Sequence, residues 1–156
     1  MDYISFETAM SLTGMAKSTL WRAIREGRVR HIVAKRSSGH AKARIDLESV
    51  LPLLTFEFTE EDRSHILAAD AGDADSALQL ALNFLEAGRP ERAVPWLTKA
   101  AESGVADAMC HLGQCYAFGH GVPRDEETAK TWLLTSAEHR HPLARLFVAN
   151  LRKMRE

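Results

Sequence analysis

Residues 106–137 read ADAMCHLGQCYAFGHGVPRDEETAKTWLLTSA, and the chain before them carries the same pattern. When the sequence is shifted by 32 residues, Phe84 aligns with Tyr116, and when it is shifted by 36 residues, Trp96 aligns with Trp132. The difference between the two shifts is one insertion, which lies between the paired helices of a repeat. A period of this length with two helices per unit is typical of an α-solenoid. We therefore expect a mainly α protein with a short solenoid.

Small and aromatic residues at matching positions indicate how these repeats pack. Ala81 and Gly113 let neighbouring helix backbones approach each other, and bulky rings fill the space that remains. Those rings belong to Phe84, Trp96, Tyr116 and Trp132. Glycine adopts the left-handed conformation that closes many helices, so regularly spaced glycines mark the predicted helix ends. They are Gly72, Gly88, Gly104 and Gly119.

Half-units are predicted on both sides of the two repeats. Thr59, with Asp62 three residues later, is typical of a helix start, and this helix is predicted to run to Ala71. At the other end Pro142 predicts the start of a final helix that reaches about Met154. Half a unit, two units and another half are close to the minimum of about three repeats that such arrays need.

The most specific motif in the sequence lies in the second repeat. It reads Leu112-Gly113-x-x-Tyr116-x-x-Gly119-x-Gly121-Val122-x-x-Asp125-x-x-x-Ala129-x-x-Trp132. This motif resembles the Sel1-like repeat, a relative of the tetratricopeptide repeat, and the resemblance covers residues 106–137 nearly position by position. The preceding unit lacks the Gly-x-Gly-Val-x-x-Asp loop. The resemblance implies a concave surface that binds peptides or other protein segments.

Charge is distributed unevenly along the chain, although the formal net charge is only −1. Residues 1–55 carry 9 Lys+Arg and 5 Asp+Glu, whereas residues 56–156 carry 11 and 16. All nine basic residues of the first part lie between Lys17 and Arg44, where Glu26 is the only acid. A basic patch of this density is a candidate binding surface for a polyanion. We therefore predict two domains with the boundary at residue 55.

Composition excludes several classes of protein. With 46% hydrophobic and 26% charged residues, the chain matches a globular average. No apolar run reaches the ~18 residues of a transmembrane helix, and residues 1–5 lack the basic and apolar regions of a signal peptide. Two cysteines, Cys110 and Cys115, are too few for a disulfide scaffold. We expect a cytoplasmic protein with reduced thiols and no membrane partner.

Two short helices are predicted in the basic N-terminal part. Ser5 is a suitable N-cap for a helix that Thr13-Gly14 ends. Leu20 and Ala23 give the next helix an apolar face, and Gly27 supplies its left-handed C-cap. Two short helices joined by a Gly-containing turn form a helix-turn-helix, whose second helix enters the major groove of DNA.

A hairpin and a closing helix follow. Residues 29–34 alternate in character and residues 35–40 form a polar, Gly-containing tip, which predicts a β-hairpin wing. Asp46 is a suitable cap for a short helix to Leu54, which Pro52 would shorten or kink. Helix, recognition helix, wing and closing helix together form a winged helix-turn-helix arrangement.

Residues 4–54 resemble the winged-helix domain shared by excisionases and the N-termini of MerR-type regulators. The resemblance is carried by Thr8-Ala9, Thr13-Gly14, Ser18-Thr19-Leu20-Trp21-Arg22-Ala23-Ile24-Arg25-Glu26-Gly27-Arg28-Val29 and Arg44-Ile45-Asp46. It implies that the protein contacts double-stranded DNA in the groove and at the backbone, and that the wing supplies further contacts. The residues implied are Lys17, Ser18 and Arg22 in the groove, Trp21 at the backbone, and Arg28, Arg30, Lys35 and Arg36 on the wing.

Side-chain chemistry separates two kinds of DNA contact. Arginine presents a planar fork that binds O6 and N7 of guanine together, whereas lysine is a mobile charge suited to phosphates. Arg22 and Arg25 are thus predicted to read sequence, and the wing cations to supply affinity that weakens with salt. The competing interpretation is that the charges form a solvated face and that Trp21 is a core residue. The full candidate set is Lys17, Ser18, Thr19, Trp21, Arg22, Arg25, Arg28, Arg30, Lys35, Arg36, Lys42 and Arg44.

Motifs for other chemistries are missing from the sequence. Cys110, His111, Cys115 and His120 fit no tight zinc-binding pattern, so we expect buried thiols and surface histidines. The chain contains no G-x-S-x-G motif, no P-loop and no dinucleotide-binding fingerprint. We therefore predict no enzyme activity, no catalytic residue, no metal and no cofactor.

Together these patterns predict a bacterial DNA-binding transcriptional regulator. The winged domain would bind DNA, and the repeats would bind another protein or a second copy of the chain as a homodimer. One alternative is a protein-interaction scaffold whose winged domain binds a protein and not DNA. Another is an excisionase-like factor that bends DNA.

Overall fold

The structure is a computed structural model that describes residues 1–35, 41–54 and 59–153. For residues 35, 41 and 151–153 only the backbone is described. Within these ranges, no helix is long and apolar enough to span a lipid bilayer.

The chain divides into two compact units, Met1–Gly72 and Asp73–Glu156. This division falls later than the boundary at residue 55 that the charge pattern indicated. The difference concerns the helix that begins after Thr59, which the sequence assigned to the repeats and which the structure joins to the N-terminal unit.

The N-terminal unit combines a three-stranded antiparallel sheet with short helices. Its elements are β1 (Tyr3–Ser5), α1 (Phe6–Thr13), α2 (Lys17–Arg25), β2 (His31–Lys35), β3 (Ala41–Asp46), α3 (Leu47–Val50), a 3-10 turn (Leu51–Leu53) and α4 (Glu60–Asp70). The strand order is β1-β3-β2, and Ile45 in the central strand lies opposite both Ile4 and His31. Strand β1 was not predicted, because three residues are too few to show an alternating pattern.

Local signals set most helix ends of this unit as predicted. The Ser5 side chain accepts a hydrogen bond from the backbone N–H of Thr8 at 3.1 Å, and Gly14 ends α1 in the left-handed conformation. Thr59 and Asp62 form a complete capping box at the start of α4. The predicted helices at α1, α2 and α4 are therefore confirmed.

The closing segment after β3 differs from its prediction in one respect. Asp46 occupies the N-cap position of α3, but its side chain makes no capping hydrogen bond. Instead, Oδ2 of Asp46 accepts a hydrogen bond from Nε of Arg30 at 2.6 Å. Pro52 lies in the 3-10 turn that replaces the second half of the predicted helix, which agrees with its expected effect.

One apolar core holds the N-terminal unit together. The side chains that are fully or almost fully buried come from strands β1 and β3, from the four helices and from the turn after α2. They are Ile4, Ala9, Leu12, Leu20, Ala23, Val29, Ile45, Leu47, Val50, Ile66 and Ala69. The last two belong to α4, which packs against β1. Burial of this helix explains why the unit extends to Gly72.

The second unit consists of consecutive helices. They are α5 (Ala74–Glu86), α6 (Pro90–Glu102), α7 (Ala106–Phe118), α8 (Glu126–Glu138) and α9 (Pro142–Lys153). Within this unit, each helix from α6 to α9 packs against the one before it. Helices α5 and α7 have equal length and start 32 residues apart, and α6 and α8 have equal length and start 36 residues apart. The predicted repeat and the place of its insertion are thus confirmed.

Candidate functional site

Helix α2 presents a polar and basic side to solvent. Leu20 and Ala23 are buried in the core. The opposite side of the helix is exposed, and the residues along it lie three or four positions apart in sequence, so that they share one face. We define the basic face as Lys17, Ser18, Trp21, Arg22 and Arg25. Thr19 is only half-exposed. The structure therefore brings the three predicted groove contacts, Lys17, Ser18 and Arg22, together on one surface.

The cations of the basic face are not neutralised within the described parts of the chain. Lys17, Arg22 and Arg25 make no ion pair there. Glu26 instead binds Arg28, with Nε and Nη2 of the arginine 2.9 and 2.5 Å from the same carboxylate oxygen. Three positive charges thus remain available on the exposed side of one helix, which is the electrostatic requirement for binding a polyanion.

Trp21 belongs to an aromatic cluster at the surface. Its ring stacks on Phe6 with centroids 5.1 Å apart and meets the edge of His31 at 6.1 Å. The residue is 37% exposed, so it is not a core residue as the competing interpretation held. Contacts on two sides fix the indole and leave part of it open to a ligand.

Arg30 and Arg44, two arginines of the predicted DNA-binding set, form ion pairs with buried aspartates of the N-terminal unit. Arg30 forms an ion pair with Asp46, whose side chain is almost completely buried. Arg44 donates from Nη2 to the carbonyl oxygen of Tyr3 at 2.6 Å and from Nη1 to Asp70 at 3.1 Å. These bonds give Arg44 in particular a structural partner on each side of its guanidinium group.

Some of the cations predicted on the hairpin lie among the described residues. Lys42 on β3 is exposed. The side chain of Lys35 and all of Arg36 lie outside the described residues. Ile32 and Val33 on β2 are 43% and 61% exposed, so the described part of this strand presents apolar side chains to solvent.

The buried carboxylate of Asp70 binds side chains and backbone from several parts of the N-terminal unit. Its Oδ1 accepts hydrogen bonds from the backbone N–H of Ser5 at 2.9 Å and from the hydroxyl of Thr8 at 2.6 Å, while Arg44 binds Oδ2. Burial by itself would raise the pKa of this carboxyl, but the hydrogen bonds from Ser5 and Thr8 and the charge of Arg44 outweigh it. The pKa of Asp70 is therefore lowered, and the group stays ionised.

Close helix packing in the second repeat depends on Gly113. A Cβ atom at this position would lie 2.7 Å from Cγ of Leu133 and 3.1 Å from the carbonyl oxygen of Ala129. Both partners belong to α8, so the absence of a side chain lets α7 and α8 approach. This confirms the predicted role of Gly113.

The inserted loop between α7 and α8 contacts the start of α6. Gly121 has a φ of 75°, and a Cβ atom there would lie 2.4 Å from the carbonyl carbon of Pro90 and 2.5 Å from the backbone N of Glu91. The loop therefore fits against the preceding repeat only because residue 121 has no side chain. The sequence marked this glycine as part of the repeat motif but gave no indication of what it contacts.

The predicted aromatic packing is confirmed in part. Phe84 and Trp96 of the first repeat are buried, whereas Tyr116 and Trp132 at the equivalent positions of the second repeat are half-buried. The second repeat thus leaves parts of its aromatic rings at the surface.

The cysteine and histidine residues of α7 form no metal centre. Cys110 and Cys115 are buried free thiols, and burial raises the pKa of both. No group of three His, Cys, Asp or Glu side chains in the described ranges could hold a metal ion. The expectation of buried thiols is confirmed, but His111 is half-buried and is not a surface histidine. Burial, with a smaller contribution from nearby His141, lowers the pKa of His111 despite the opposing charge of Asp107.

A groove of about 480 Å³ lies where α7, α8 and α9 meet. We name it the α7–α9 groove, and its lining residues are Ala117, Phe118, Arg124, Glu126, Ala129, Lys130, Leu133, Phe147 and Asn150. Sequence reasoning did not predict a site here. The sequence carried one signal, because an aromatic residue, Phe118, stands where the first repeat has Glu86. The structure shows that this phenylalanine is 59% exposed.

Comparison with known proteins identifies the second unit. Residues 74–105 and 106–141 each match the family model of the Sel1 repeat. Residues 74–141 are two consecutive Sel1 repeats. The first match covers α5 and α6, and the second covers α7 and α8, so the repeat limits agree with the helix pairs. We refer to Asp73–Glu156, which contains both repeats, as the Sel1 unit.

Two solved structures resemble this chain. A Sel1 repeat protein from Oxalobacter formigenes shares 32% identity, with a TM-score of 0.53 over 56% of this chain and 26% of its own. A protective antigen of uropathogenic Escherichia coli strains that displays an SLR fold shares 24% identity, with a TM-score of 0.54 over 68% of this chain and 21% of its own. This chain therefore spans about a quarter or less of either structure, and the likeness establishes a helical-repeat solenoid.

Proposed function

We propose that this protein is an interaction adaptor whose Sel1 unit binds a segment of another protein. The observation that carries this proposal is the match of two consecutive repeats to the Sel1 family. Helical repeats stack neighbouring helices and display their side chains along an extended surface, which suits the binding of peptides and protein segments. The apolar, solvent-open α7–α9 groove of the Sel1 unit supports the same function.

Site-specific photo-crosslinking tests the adaptor proposal. A photoreactive amino acid at Gln79 or Thr131, both exposed in the Sel1 unit, should give a covalent adduct with one protein in the source cell. The same amino acid at exposed Lys42 in the N-terminal unit is the matched control. The purified partner should then bind the full chain saturably in calorimetric titration. No adduct, or adducts without saturable binding, would refute the adaptor function.

A second candidate function is binding of duplex DNA by the N-terminal unit, which would make the protein a transcriptional regulator. The observation that favours it is the basic face of α2, where Lys17, Arg22 and Arg25 are exposed without an acidic partner in the described part of the unit. The short connection between α1 and α2 and the hairpin after them are compatible with a winged helix-turn-helix. The ion pair of Arg44 with Asp70 argues that DNA contacts centre on α2.

Fluorescence anisotropy with labelled genomic duplexes tests DNA binding. Affinity should fall steeply as salt increases, because cations that bind phosphates displace counterions. Arg22→Ala should weaken the best-bound duplex about tenfold, the effect of losing one good arginine–base contact. Arg145→Ala, which removes an exposed arginine from the Sel1 unit, is the control and should leave affinity unchanged. No binding at low salt, or equal effects of both variants, would refute the DNA-binding role.

A further inference from the structure

The α7–α9 groove combines an apolar floor with a polar rim. Ala129 and Leu133 of α8 are buried beneath it, and Phe147 of α9 is half-buried beside them. Phe118 stands at the end of α7 with 59% of its surface exposed. A volume of about 480 Å³ lies within the range of about 300–1,000 Å³ that is common for specific ligand sites. The groove can therefore accept at least one bulky apolar side chain.

The rim of this groove is positively charged overall. Arg124 and Glu126 form an ion pair with a separation of 2.5 Å, so these two charges largely cancel. Lys130 also lines the groove and makes no ion pair in the described ranges. One positive charge thus remains next to the apolar floor, where an anionic ligand group would be favoured.

Charge is distributed unevenly along the sequence of the Sel1 unit. The part of the Sel1 unit from residue 73 to residue 138 contains 5 Lys+Arg and 10 Asp+Glu. Residues 139–153, which form α9 and the turn before it, contain four Lys+Arg and no Asp or Glu. Positive charge is therefore concentrated in the stretch of sequence that follows α8, within a unit that is otherwise acidic. The residues of α9 that line the groove, Phe147 and Asn150, are uncharged and add no acidic group to its rim.

We propose that the α7–α9 groove binds an acidic segment of a partner protein that inserts a bulky apolar side chain between Phe118 and Phe147. The inference rests on the proposed adaptor function and specifies the chemistry of the partner. The apolar anchor would cover Leu133 and Phe118, and an adjacent Asp or Glu would pair with Lys130. Apolar burial supplies affinity, and the charge pair selects acidic segments over basic ones.

Selection from a random peptide library displayed on phage, with the full chain as target, tests this proposal. Selected peptides should be enriched in Asp and Glu and should carry Leu, Phe or Trp. Phe118→Ala and Lys130→Glu should each weaken a selected, fluorescein-labelled peptide about tenfold or more, as for a central contact in an interface. Leu143→Ala and Lys130→Arg are matched controls that should stay within about twofold, because Leu143 is exposed outside the groove and arginine keeps the charge.

Several outcomes would overturn the groove assignment. They are the absence of selected peptides, enrichment of Lys and Arg, and binding that Phe118→Ala and Lys130→Glu leave unchanged. Sedimentation showing a dimer that Phe118→Ala dissociates would assign the groove to a second copy and also overturn it. If the photo-crosslinked partner binds the Lys130→Glu variant as tightly as the wild type, the adaptor function stands and only the groove inference fails.

Discussion

Arg44 on β3 and Asp70 on α4 form an ion pair, with Nη1 of the arginine 3.1 Å from Oδ2 of the aspartate. The Asp70 side chain is 5% exposed and also accepts hydrogen bonds from Ser5 and Thr8 at the start of α1. One carboxylate therefore connects three parts of the N-terminal unit. Arg44, a candidate DNA contact in the sequence, has a structural partner at each side of its fork.

Asp70→Asn should destabilise the N-terminal unit by about 1–3 kcal/mol, because it leaves buried hydrogen-bond donors without a charged acceptor. Urea denaturation measures the change in the free energy of unfolding. Asp75→Asn, at an exposed position in α5, is the control and should have little effect. Equal stability of Asp70→Asn and the wild type would show that the ion pair makes no net contribution.

The stability difference between Asp70→Asn and the wild type should depend on acid pH. The pKa of Asp70 is lowered in the folded state, so its contribution is fully present above the unfolded value of about 3.9 and is lost as pH falls through the folded value. Unfolding measured between neutral and strongly acid pH should show the two proteins converging below about pH 4. A constant difference across this range would contradict the assignment.

Gly121→Ala should destabilise the Sel1 unit more than Gly88→Ala. Both glycines have positive φ, 75° and 68°, so both variants carry similar backbone strain. Only at residue 121 would the new methyl group meet backbone atoms of Pro90 and Glu91, whereas nothing lies within 4 Å of a Cβ at residue 88. Thermal unfolding should therefore show an excess loss of about 1–3 kcal/mol for Gly121→Ala. Equal stability losses in the two variants would mean that the loop can move away from α6 without loss of folding free energy.

Gly113→Ala should destabilise the Sel1 unit by about 1–3 kcal/mol, although alanine favours helix over glycine by about 1 kcal/mol. The cause is the 2.7 Å approach of the added carbon to Leu133. A double-mutant cycle with Leu133→Ala tests this cause, because the two losses should not add if the methyl group fills the space that leucine vacates. If the stability losses of Gly113→Ala and Leu133→Ala were strictly additive, the loss in Gly113→Ala would not come from contact with Leu133.

His111→Gln should flatten the pH dependence of stability in the Sel1 unit. Burial lowers the pKa of His111, so the unfolded chain takes up a proton at higher pH than the folded one. Wild-type stability should therefore decrease as pH falls below about 6.5, and the variant should lose part of this decrease. His120→Gln, at an exposed position, is the control. Identical slopes for the wild type and His111→Gln would contradict the prediction.

Most elements of the fold could be predicted because they depend on local sequence. Ser5, Thr59 and Gly14 determine helix ends through bonds to their own neighbours, and the offsets of 32 and 36 residues locate the helices of both repeats. Strand β1 was missed because its pairing with β3 is a contact between distant residues that leaves no pattern in three positions.

The candidate sites were predictable to different degrees. The basic face follows from helical spacing around Leu20 and Ala23, so Lys17, Arg22 and Arg25 could be grouped before the structure was known. The α7–α9 groove could not be predicted, because Phe118 belongs to α7 and Phe147 to α9, and the two line one groove only when the helices stack.

The sequence by itself determined the repeat period, the helix limits and the separation of basic from acidic segments, because each depends on residues close together in the chain. Tertiary structure decided which charges are free. Arg22 and Arg44 are chemically identical, yet Arg22 is exposed without an acidic partner among the described residues, whereas Arg44 is bound to Asp70 of α4. An ion pair between residues so far apart in sequence forms only after packing has brought β3 and α4 together, and for that reason composition could not reveal it.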